Sequence, residues 1–249
     1  MKKTLHIFMT LLMLTTSMTL FASGQQESDG KIVIASDCTW PPMEFVNEDK
    51  EIVGYDIDFI RAVAEEAGFE VEIRNTAWDG IFASLGNGEC DAVISSVTIT
   101  DERKKTMDFS TPYINAGQVL IVTKDSSAVT LADLAGKELG AQIGTTGAIA
   151  IDESDATLKS YDELGLAIAD LANGRIDGVV ADTPIAANYV LQNDTYKEQL
   201  KIVGDTFTEE YYGVAVKKGN AEVLELINKG IKAVQEKGID KELEAKWLR

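Results

Sequence analysis

The sequence predicts an α/β fold built from two similar lobes, each with a mostly parallel sheet flanked by helices. Apolar runs of strand length alternate with helical patterns over residues 31–95, and the same alternation returns over residues 139–203. The motif L-x-N-G-x-x-D-x-V also occurs twice, at 85–93 and 171–179, with five matched positions at an offset of 86 residues. Because this motif describes a helix end, an Asn-Gly turn and a buried strand, its repetition predicts one sheet in each half of the chain.

The first lobe is predicted from its apolar periodicity. A continuous apolar run at 31–36 suits a strand covered on both faces, and 69–73 alternates as a strand. Apolar residues at helical spacing predict a helix over 57–67, which Gly68 ends. The expected order is strand 31–36, helix 57–67, strand 69–73, helix 79–85 and strand 91–95.

The second lobe and the end of the chain are predicted in the same way. Gly238 divides an amphipathic stretch at 223–248 into two helices. Thr145 opens a helix directly after a strand, and one strand is expected at 212–216. The expected order is strand 139–143, the helix from Thr145, helix 161–172, strand 177–181, helix 183–192, strand 200–203, strand 212–216 and the paired helices of 223–248.

The N-terminus has the pattern of a secretory signal peptide. A basic start precedes an apolar stretch at 7–20, which ends before a small residue, Ala22. The stretch is too short and too rich in Ser and Thr for a good membrane span, although an uncleaved anchor or a buried helix is the alternative. We expect residues 1–22 to be removed on export, without a lipid-modified cysteine, and residues 23–30 to form a flexible leader.

The net charge and the histidine content exclude several classes of function. The chain has 23 Lys+Arg against 41 Asp+Glu, a formal charge of −18, and no basic stripe offsets it, which argues against nucleic acid as a partner. Removing residues 1–22, which hold two lysines and no acid, changes the charge to −20 and removes His6, the only histidine of the sequence. The mature chain then has no Ser-His-Asp or Cys-His catalysis, no His-ligated zinc and no histidine pH switch, and we expect no cofactor.

Polar side chains follow the repeated buried strand in both lobes. Ser95 and Ser96 end the first copy, and Asp182 lies at the end of the second. Ligands in open α/β sheets bind outside the carboxyl ends of the strands. The repeat therefore predicts a cleft in which both lobes contact one ligand.

Arg103 is the candidate anion-binding residue of this cleft. A helix is expected to begin near Thr100, a suitable N-cap, which lets Arg103 point back toward the strand end. A guanidinium binds a carboxylate through two parallel hydrogen bonds, and the hydroxyls of Ser96 and Thr98 can donate to the same anion. The alternative is a capped helix with a solvated arginine.

A second anion site is expected where a strand meets a helix at 144–147, Gly-Thr-Thr-Gly. Thr145 and Thr146 lie at this junction, where backbone N–H groups at a helix start bind anions, and Gln142 adds a side-chain amide. The segment has neither of the glycine patterns that bind nucleotides, so a carboxylate fits it better than a phosphate.

Carboxylates and tryptophans favour a cationic or amphipathic ligand. Asp182 and Asp37 are candidate counter-ions, and Trp40 and Trp78 are placed near strand ends of the first lobe. Aromatic faces combined with carboxylates hold such ligands. Core packing is the alternative for both tryptophans, and Trp247 is expected to pack between helices.

A set of short motifs occurs in a fixed order along the chain. The motifs are D-x-x-W-P-x-x-E-F at 37–45, G-Y-D-I-D at 54–58, W-D-G-I-F at 78–82, the stretch 91–103, F-S-x-P-Y at 109–113, G-T-T at 144–146 and Asp182. In this combination the chain resembles the polar amino-acid solute-binding proteins of ABC importers. The resemblance covers nearly the whole mature chain, and its specificity lies in the order of the motifs rather than in any one of them.

The resemblance implies a type II periplasmic-binding-protein fold, in which two lobes joined by two crossover strands close about a hinge. The crossings would lie near 115–118 and 206–209. Lobe 1 would be discontinuous, comprising 31–114 plus 207–249, and lobe 2 would span 115–206.

The resemblance also implies roles for the candidate residues. Arg103 would bind the α-carboxylate of the ligand, helped by Thr98 and the backbone at Thr146. Asp182 and Ser96 would bind the α-ammonium. The full set of predicted ligand-binding residues is Asp37, Trp40, Glu44, Trp78, Ser95, Ser96, Thr98, Arg103, Gln142, Thr145, Thr146 and Asp182.

The side chain of the ligand would meet the remaining residues. Trp40 and Trp78 would sandwich it, and Asp37, Glu44 and Gln142 would face its far end. The chain departs from the family at position 147, where many relatives have a polar residue such as glutamine and this sequence has glycine. A side-chain contact with the ligand is therefore not expected there.

These implications together predict an extracytoplasmic binding protein that captures a polar, cationic amino acid and delivers it to an ABC permease. Asp37 beside two aromatic residues favours arginine or lysine, then glutamine, while Asp37 and Glu44 disfavour acidic ligands. We expect a periplasmic monomer whose lobes close on the ligand. The alternatives are a cleft enzyme, such as a small-carboxylate dehydratase with Glu44 as its acid or base, and a detached receptor lobe.

Cys38 and Cys90 are expected to be free, mostly buried thiols. One lies just past the carboxyl end of its strand, and the other lies just before the amino end of a parallel strand. These ends are about five residues apart, on the order of 16 Å, which is beyond the reach of a disulfide.

Overall fold

The computed structural model describes residues 30–248. The predicted signal peptide, 1–22, and all but the last residue of the predicted leader, 23–30, lie outside this range. Between residues 30 and 248, no helix has both the length and the apolar character needed to cross a membrane.

Strands and helices alternate along the described chain. The strands are β1 Ile32–Ser36, β2 Thr39–Trp40, β3 Glu44–Val46, β4 Ile52–Val53, β5 Val71–Asn75, β6 Ala92–Val93, β7 Met107–Phe109, β8 Ile114–Ala116, β9 Gln118–Thr123, β10 Glu138–Gln142, β11 Thr157–Tyr161, β12 Gly178–Asp182, β13 Leu200–Val203, β14 Glu210–Tyr212 and β15 Ala215–Lys217. The helices are α1 Tyr55–Ala67, α2 Trp78–Asn87, α3 Thr146–Asp152, α4 Leu164–Ala172, α5 Thr183–Ala187, α6 Ala221–Lys237 and α7 Ile239–Trp247.

Two five-stranded sheets form the centres of two lobes. The sheet of lobe 1 has the order β5-β1-β6-β15-β7, and that of lobe 2 has the order β11-β10-β12-β9-β13. In each sheet four strands share one direction, and one strand, β15 or β9, runs antiparallel to both of its neighbours. The predicted two-lobed α/β fold with mostly parallel sheets is confirmed.

Helices cover both faces of β1, which explains its continuous apolar sequence. Ile34 lies in a core cluster with Phe59 of α1, whereas Val33 lies in a second cluster with Ile81 of α2. Successive side chains of a strand point to opposite faces, so each face of β1 is buried by a different helix. Full burial of one such side chain contributes about 1.5–3 kcal/mol. The carboxyl end of β1, next to Asp37, is therefore firmly positioned.

The C-terminal helices return to lobe 1. β15 pairs with β6 and β7, and α6 and α7 both pack on α1. The indole N–H of Trp247 donates to Asp58 Oδ2 at 2.9 Å, and its ring meets Phe45 edge-on, so the predicted packing role of Trp247 is confirmed. The residue limits of the lobes stay predictions.

The two segments that pass between the sheets run side by side. β8 pairs antiparallel with β14, and Gln118 N donates to Thr208 Oγ1 at 2.8 Å. A Cβ atom at position 117 would lie 2.2 Å from the carbonyl oxygen of Thr208, so only glycine permits this approach. The crossings lie at or next to the predicted segments.

Two predicted elements of the second half differ from the structure. Tyr161, expected to begin a helix, is the last residue of β11, which pairs with β10 as an edge strand, and the helix begins at Leu164. The single strand expected at 212–216 is two strands, because the chain leaves the crossing around Gly213 and then enters the sheet of lobe 1. A continuous apolar run does not reveal that change of partner.

Elements of the first half also differ. The helix expected near Thr100 is one 3-10 turn at Arg103–Lys105, the strand expected at 69–73 is displaced to β5, and the strand expected at 91–95 is the short β6. The sequence did not predict the small β2-β3-β4 sheet or β7, and it predicted β8 and β9 only as the crossing near 115–118 that the resemblance implies.

Both cysteines are free and buried, as predicted. Ile34 pairs with Ala92, which sets Cys90 level with Ile32 and six residues before Cys38. Six residues of extended chain separate the two thiols by about 20 Å.

Candidate ligand-binding site

A cavity between the two lobes contains every predicted site residue. Its empty space, part of which is open to solvent, amounts to about 310 Å³, and it lies at the carboxyl ends of β1, β6, β10 and β12. Its lining residues are Asp37, Trp40, Glu44, Trp78, Ser95, Ser96, Thr98, Arg103, Gln142, Thr145, Thr146 and Asp182. Their contacts with a ligand stay predictions.

Arg103 contacts both lobes at one wall of the cavity. Its Nη1 donates to the carbonyl oxygen of Thr98 at 2.9 Å, and its Nη2 donates to that of Gly144 at 3.2 Å. The guanidinium lies 5.5 Å from the ring centroid of Trp78 and 5.3 Å from that of Phe82. Burial lowers the pKa of Arg103, and its hydrogen bonds to both lobes argue against the alternative of a solvated arginine. These two hydrogen bonds leave the remaining N–H groups of the guanidinium free to bind a carboxylate.

Two threonines position the backbone around Arg103. Thr100 Oγ1 accepts from the backbone N–H of Arg103 at 3.1 Å, but the single 3-10 turn that follows has Glu102 at its N-cap, so the predicted N-cap role of Thr100 is wrong. Thr145 is the N-cap of α3, where its hydroxyl accepts from Ala148 N at 3.2 Å and donates to the carbonyl oxygen of Gln142 at 2.7 Å. Both contacts fix the loops that follow the strand ends.

Asp182 forms the anionic wall of the cavity. Its Oδ1 accepts from Gln118 Nε2 at 2.6 Å, and its Oδ2 accepts from the hydroxyl of Tyr212. Burial raises the pKa of Asp182 to about 6, and the two hydrogen bonds partly oppose that rise. A cation bound beside this carboxylate would stabilise its ionised form, which burial disfavours.

Asp37 links the two lobes at the opposite end of the cavity. Its Oδ2 accepts from Gln142 Nε2 at 3.0 Å, and its Oδ1 accepts from Thr39 Oγ1 at 2.9 Å. Burial raises the pKa of Asp37, and the nearby charges of Glu163 and Asp79 raise it further. A cation bound beside Asp37 would therefore stabilise the ionised form of this carboxyl group.

Glu44 lies fully buried beneath the strand-end serines. Its carboxyl oxygens accept from Ser95 Oγ at 3.1 Å and Ser96 Oγ at 3.4 Å. Burial and the neighbouring Asp56 raise the pKa of Glu44 well above its usual range. Both effects favour the uncharged form of Glu44, which weakens it as a reason for rejecting acidic ligands and makes Asp37 the stronger candidate for that role.

Asp56 holds the turn that carries Ser96. The backbone N–H of Ser96 donates to Asp56 Oδ2 at 2.8 Å, and the hydroxyl of Tyr113 donates to the same oxygen at 2.8 Å. Ser96 has a φ of 49°, which is uncommon for a residue with a side chain. Burial raises the pKa of Asp56 to about 6. This carboxylate therefore fixes the conformation that brings Ser96 to the cavity.

Trp40 and Trp78 pack in the hydrophobic core and also line the cavity. Trp40 and Trp78 are 7% and 8% exposed, and they belong to two different hydrophobic core clusters. Trp78 meets Phe82 edge-on at 5.0 Å. Each tryptophan therefore packs in the core and also lines the cavity, and its contact with a ligand stays a prediction.

Three polar residues next to the cavity were missed at the sequence level. Gln118 and Tyr212 hold Asp182, and Glu210 holds the hydroxyls of Thr98 and Thr146. They lie on the crossing segments, whose strands were not predicted or were misassigned. The signal present in the sequence is that each lies beside a predicted crossing, where a polar side chain is close to both lobes.

Comparison with known proteins points to one family. The profile of the bacterial extracellular solute-binding proteins, family 3, matches residues 32–249. The chain is 33% identical over 233 residues to a probable histidine-binding protein of Neisseria gonorrhoeae, with 91% of this chain and 87% of that protein covered. It is 35% identical over 247 residues to ABC transporter arginine-binding protein 1 of Escherichia coli K12, with 96% and 99% covered.

Solved structures agree with the sequence comparisons. An ancestral arginine-binding protein bound to arginine is 40% identical to this chain and superposes with a TM-score of 0.83, covering 88% of this chain and 99% of that one. The family profile, the sequence identities and the fold therefore agree. The chain belongs to the bacterial extracellular solute-binding proteins of family 3.

Proposed function

We propose that this protein is a periplasmic binding protein that captures a cationic amino acid, arginine first, and delivers it to the permease of an ABC importer. The observation that carries the proposal is that Arg103 and Asp182 line one cavity together with Asp37. A zwitterion needs one cationic and one anionic partner, and a cationic side chain needs a further carboxylate. The names of the relatives, which include arginine- and histidine-binding proteins, support this ligand class.

The proposed ligand lies across the cavity from Arg103 to Asp37. Arg103 binds its α-carboxylate, Asp182 binds its α-ammonium, and Trp40 and Trp78 enclose the side chain. The carboxylate of Asp37 receives the terminal cation. Lysine and histidine follow arginine, because each carries fewer donors to a carboxylate than a guanidinium does.

Closure of the lobes is part of the proposal. The Arg103–Gly144 and Asp37–Gln142 hydrogen bonds join the lobes directly. A ligand that contacts both walls stabilises this closed arrangement by its greater affinity for it. We propose that a monomer suffices, with lobe 1 formed by 31–114 plus 207–249 and lobe 2 by 115–206.

We propose binding rather than catalysis. Glu44, the candidate acid or base of a dehydratase, is fully buried, and both of its carboxyl oxygens are engaged by Ser95 and Ser96. A general acid must reach the proton that it transfers. The serine contacts direct the carboxyl group away from that task, while Asp182 is suited to an ammonium.

Calorimetric titration of the chain beginning at residue 23 with each of the twenty amino acids tests the proposal. We expect arginine to bind most tightly, lysine and histidine more weakly, and glutamate not at all. Binding of none of the twenty would overturn the proposed function. Turnover of a small carboxylate substrate would favour the enzymatic alternative.

Acidic side chains beside the cavity should speed the capture of cations. A second cavity of about 740 Å³ shares Asp37 and Trp78 with the first and adds Asp79, Asp162 and Glu163. A concave surface lined by one sign of charge raises the association rate of oppositely charged ligands. We expect Glu163→Gln to lower the association rate constant of arginine about twofold to fivefold at low ionic strength, with a smaller change at high salt.

Stopped-flow tryptophan fluorescence measures this rate. Glu225→Gln on α6, an exposed residue on a helix that packs on α1, is the matched control and should leave the rate unchanged. Equal slowing in both variants would assign the effect to net charge instead of to the acidic cavity.

A further inference from the structure

Glu210 binds the hydroxyl groups of the two threonines that line the cavity. Its Oε2 accepts from Thr98 Oγ1 at 2.9 Å and from Thr146 Oγ1 at 2.7 Å. The same oxygen lies 3.4 Å from Gln118 Nε2, and Oε1 accepts from Thr208 Oγ1 at 2.8 Å. With only 9% of its surface exposed, Glu210 is a buried carboxylate at the crossing of the two lobes.

These hydrogen bonds determine where the hydrogen atom of each threonine hydroxyl points. A hydroxyl carries one hydrogen to donate and two lone pairs to accept with. A carboxylate can only accept, so the hydrogens of Thr98 and Thr146 both point to Glu210. The oxygens then offer lone pairs to the cavity that they line.

The acceptors lie where an ammonium is expected. The two hydroxyl oxygens are 3.5 Å apart, and the amide of Gln118 connects Thr146 to Asp182 through bonds of 3.1 Å and 2.6 Å. Two hydroxyl oxygens and the Asp182 carboxylate together match the three N–H groups of an α-ammonium. The expectation that Thr98 donates to the ligand carboxylate is at odds with this polarity, which leaves the carboxylate to Arg103 and backbone N–H groups.

We propose that Glu210 is a positioning residue that holds the hydroxyl hydrogens of Thr98 and Thr146, so that both oxygens accept from the α-ammonium of the ligand. The inference rests on the proposed function, because it concerns how that amino acid is recognised. Glu210 selects for an ammonium without touching it.

The test compares two ligands that differ only in the ammonium. These are L-arginine and 5-guanidinopentanoate, which lacks the α-ammonium and keeps the carboxylate and the guanidinium. Titration calorimetry, with competition against arginine for the weaker ligand, gives both dissociation constants. We expect Glu210→Gln, whose amide can donate to a hydroxyl and reverse it, to weaken arginine binding at least tenfold, or about 1.4 kcal/mol. The same variant should change 5-guanidinopentanoate binding less than twofold.

The adjacent Glu209 supplies a matched control. It is exposed and bonds to Tyr211 instead of to the cavity residues, so Glu209→Gln makes the same charge change and should affect neither ligand. Thr98→Val, which removes an acceptor and keeps the shape of the side chain, gives the same comparison if Glu210→Gln fails to fold. It too should weaken arginine selectively.

The outcomes separate this inference from the proposed function. Equal weakening of both ligands by Glu210→Gln, or by Thr98→Val in its place, would overturn the role of Glu210 alone. Wild-type protein that binds no amino acid would overturn the proposed function and this inference with it. Selective weakening of arginine, with Glu209→Gln unchanged, would support both.

Discussion

Replacing Arg103 with alanine should weaken arginine binding by about two to three orders of magnitude. The α-carboxylate would be left buried without its cationic partner, and the bridge from Thr98 O to Gly144 O would also be lost. Arg103→Lys should give an intermediate loss, because lysine keeps the charge but not the forked geometry. Calorimetric titration of both variants measures the effect.

An arginine elsewhere on the surface provides the control. Arg61 lies on α1 with a half-exposed side chain, and Arg61→Ala should leave the affinity unchanged. If Arg103→Ala bound arginine within threefold of the wild-type protein, the carboxylate would have to be held elsewhere and the proposed orientation of the ligand would be wrong.

Replacing Asp182 with asparagine should abolish arginine binding and, in the absence of ligand, stabilise the protein. Burial raises the pKa of Asp182 from 3.8 to about 6, so its ionised form is disfavoured in the folded state. A raised carboxyl pKa gives a contribution to stability that is full below pH 3.8 and is lost as the pH rises through about 6. At pH 7.5 the ionised carboxylate therefore lowers the free energy of unfolding by about 3 kcal/mol, which asparagine avoids.

Thermal unfolding without ligand at pH 7.5 and pH 5 measures this effect. The stabilisation by Asp182→Asn should be larger at pH 7.5. Asp170→Asn is a control of opposite sign, because contacts with Arg175, Tyr161 and Lys159 lower the pKa of Asp170 to about 2 and its ionised form stabilises the fold. A lower melting temperature for Asp182→Asn at pH 7.5, or unchanged arginine affinity, would contradict the assignment.

The same carboxylate predicts how binding depends on pH. Asp182 must be ionised to hold an ammonium, and with a pKa of about 6 it is mostly protonated at pH 5. Arginine binding should weaken about tenfold between pH 7.5 and pH 5. A dissociation constant that stays flat over this interval would show that Asp182 is not the ammonium partner.

The strand-end residues of the site were predictable because their signal is local. Ser95, Ser96 and Asp182 directly follow apolar runs that repeat in the sequence, and the carboxyl ends of parallel strands are where ligands bind in such sheets. The helices α6 and α7 were equally clear, since their apolar residues recur at helical spacing around Gly238. Position along the chain and periodicity were sufficient for these parts.

The crossing segments could not be predicted in the same way. Tyr212 and Ala215 lie in one apolar run, yet the first pairs with β8 and the second with the sheet of lobe 1. Glu210 finds its partners Thr98 and Thr146 at separations of 112 and 64 residues. The sequence contains no periodic pattern that reveals these strand pairings or hydrogen bonds. The charge of Glu44 likewise depends on its burial, which only the folded chain defines.

The hydrogen bond between Asp37 and Gln142 has a consequence for discrimination between ligands. A side chain that reaches Asp37 joins a carboxylate that already accepts from the Gln142 amide and the Thr39 hydroxyl. Glutamine would add another neutral donor of the kind already present and gain little. Arginine would add a charged donor, and charge-assisted bonds are roughly twice as strong. Selectivity at this end of the cavity therefore depends on the charge of the ligand side chain more than on its number of hydrogen-bond donors.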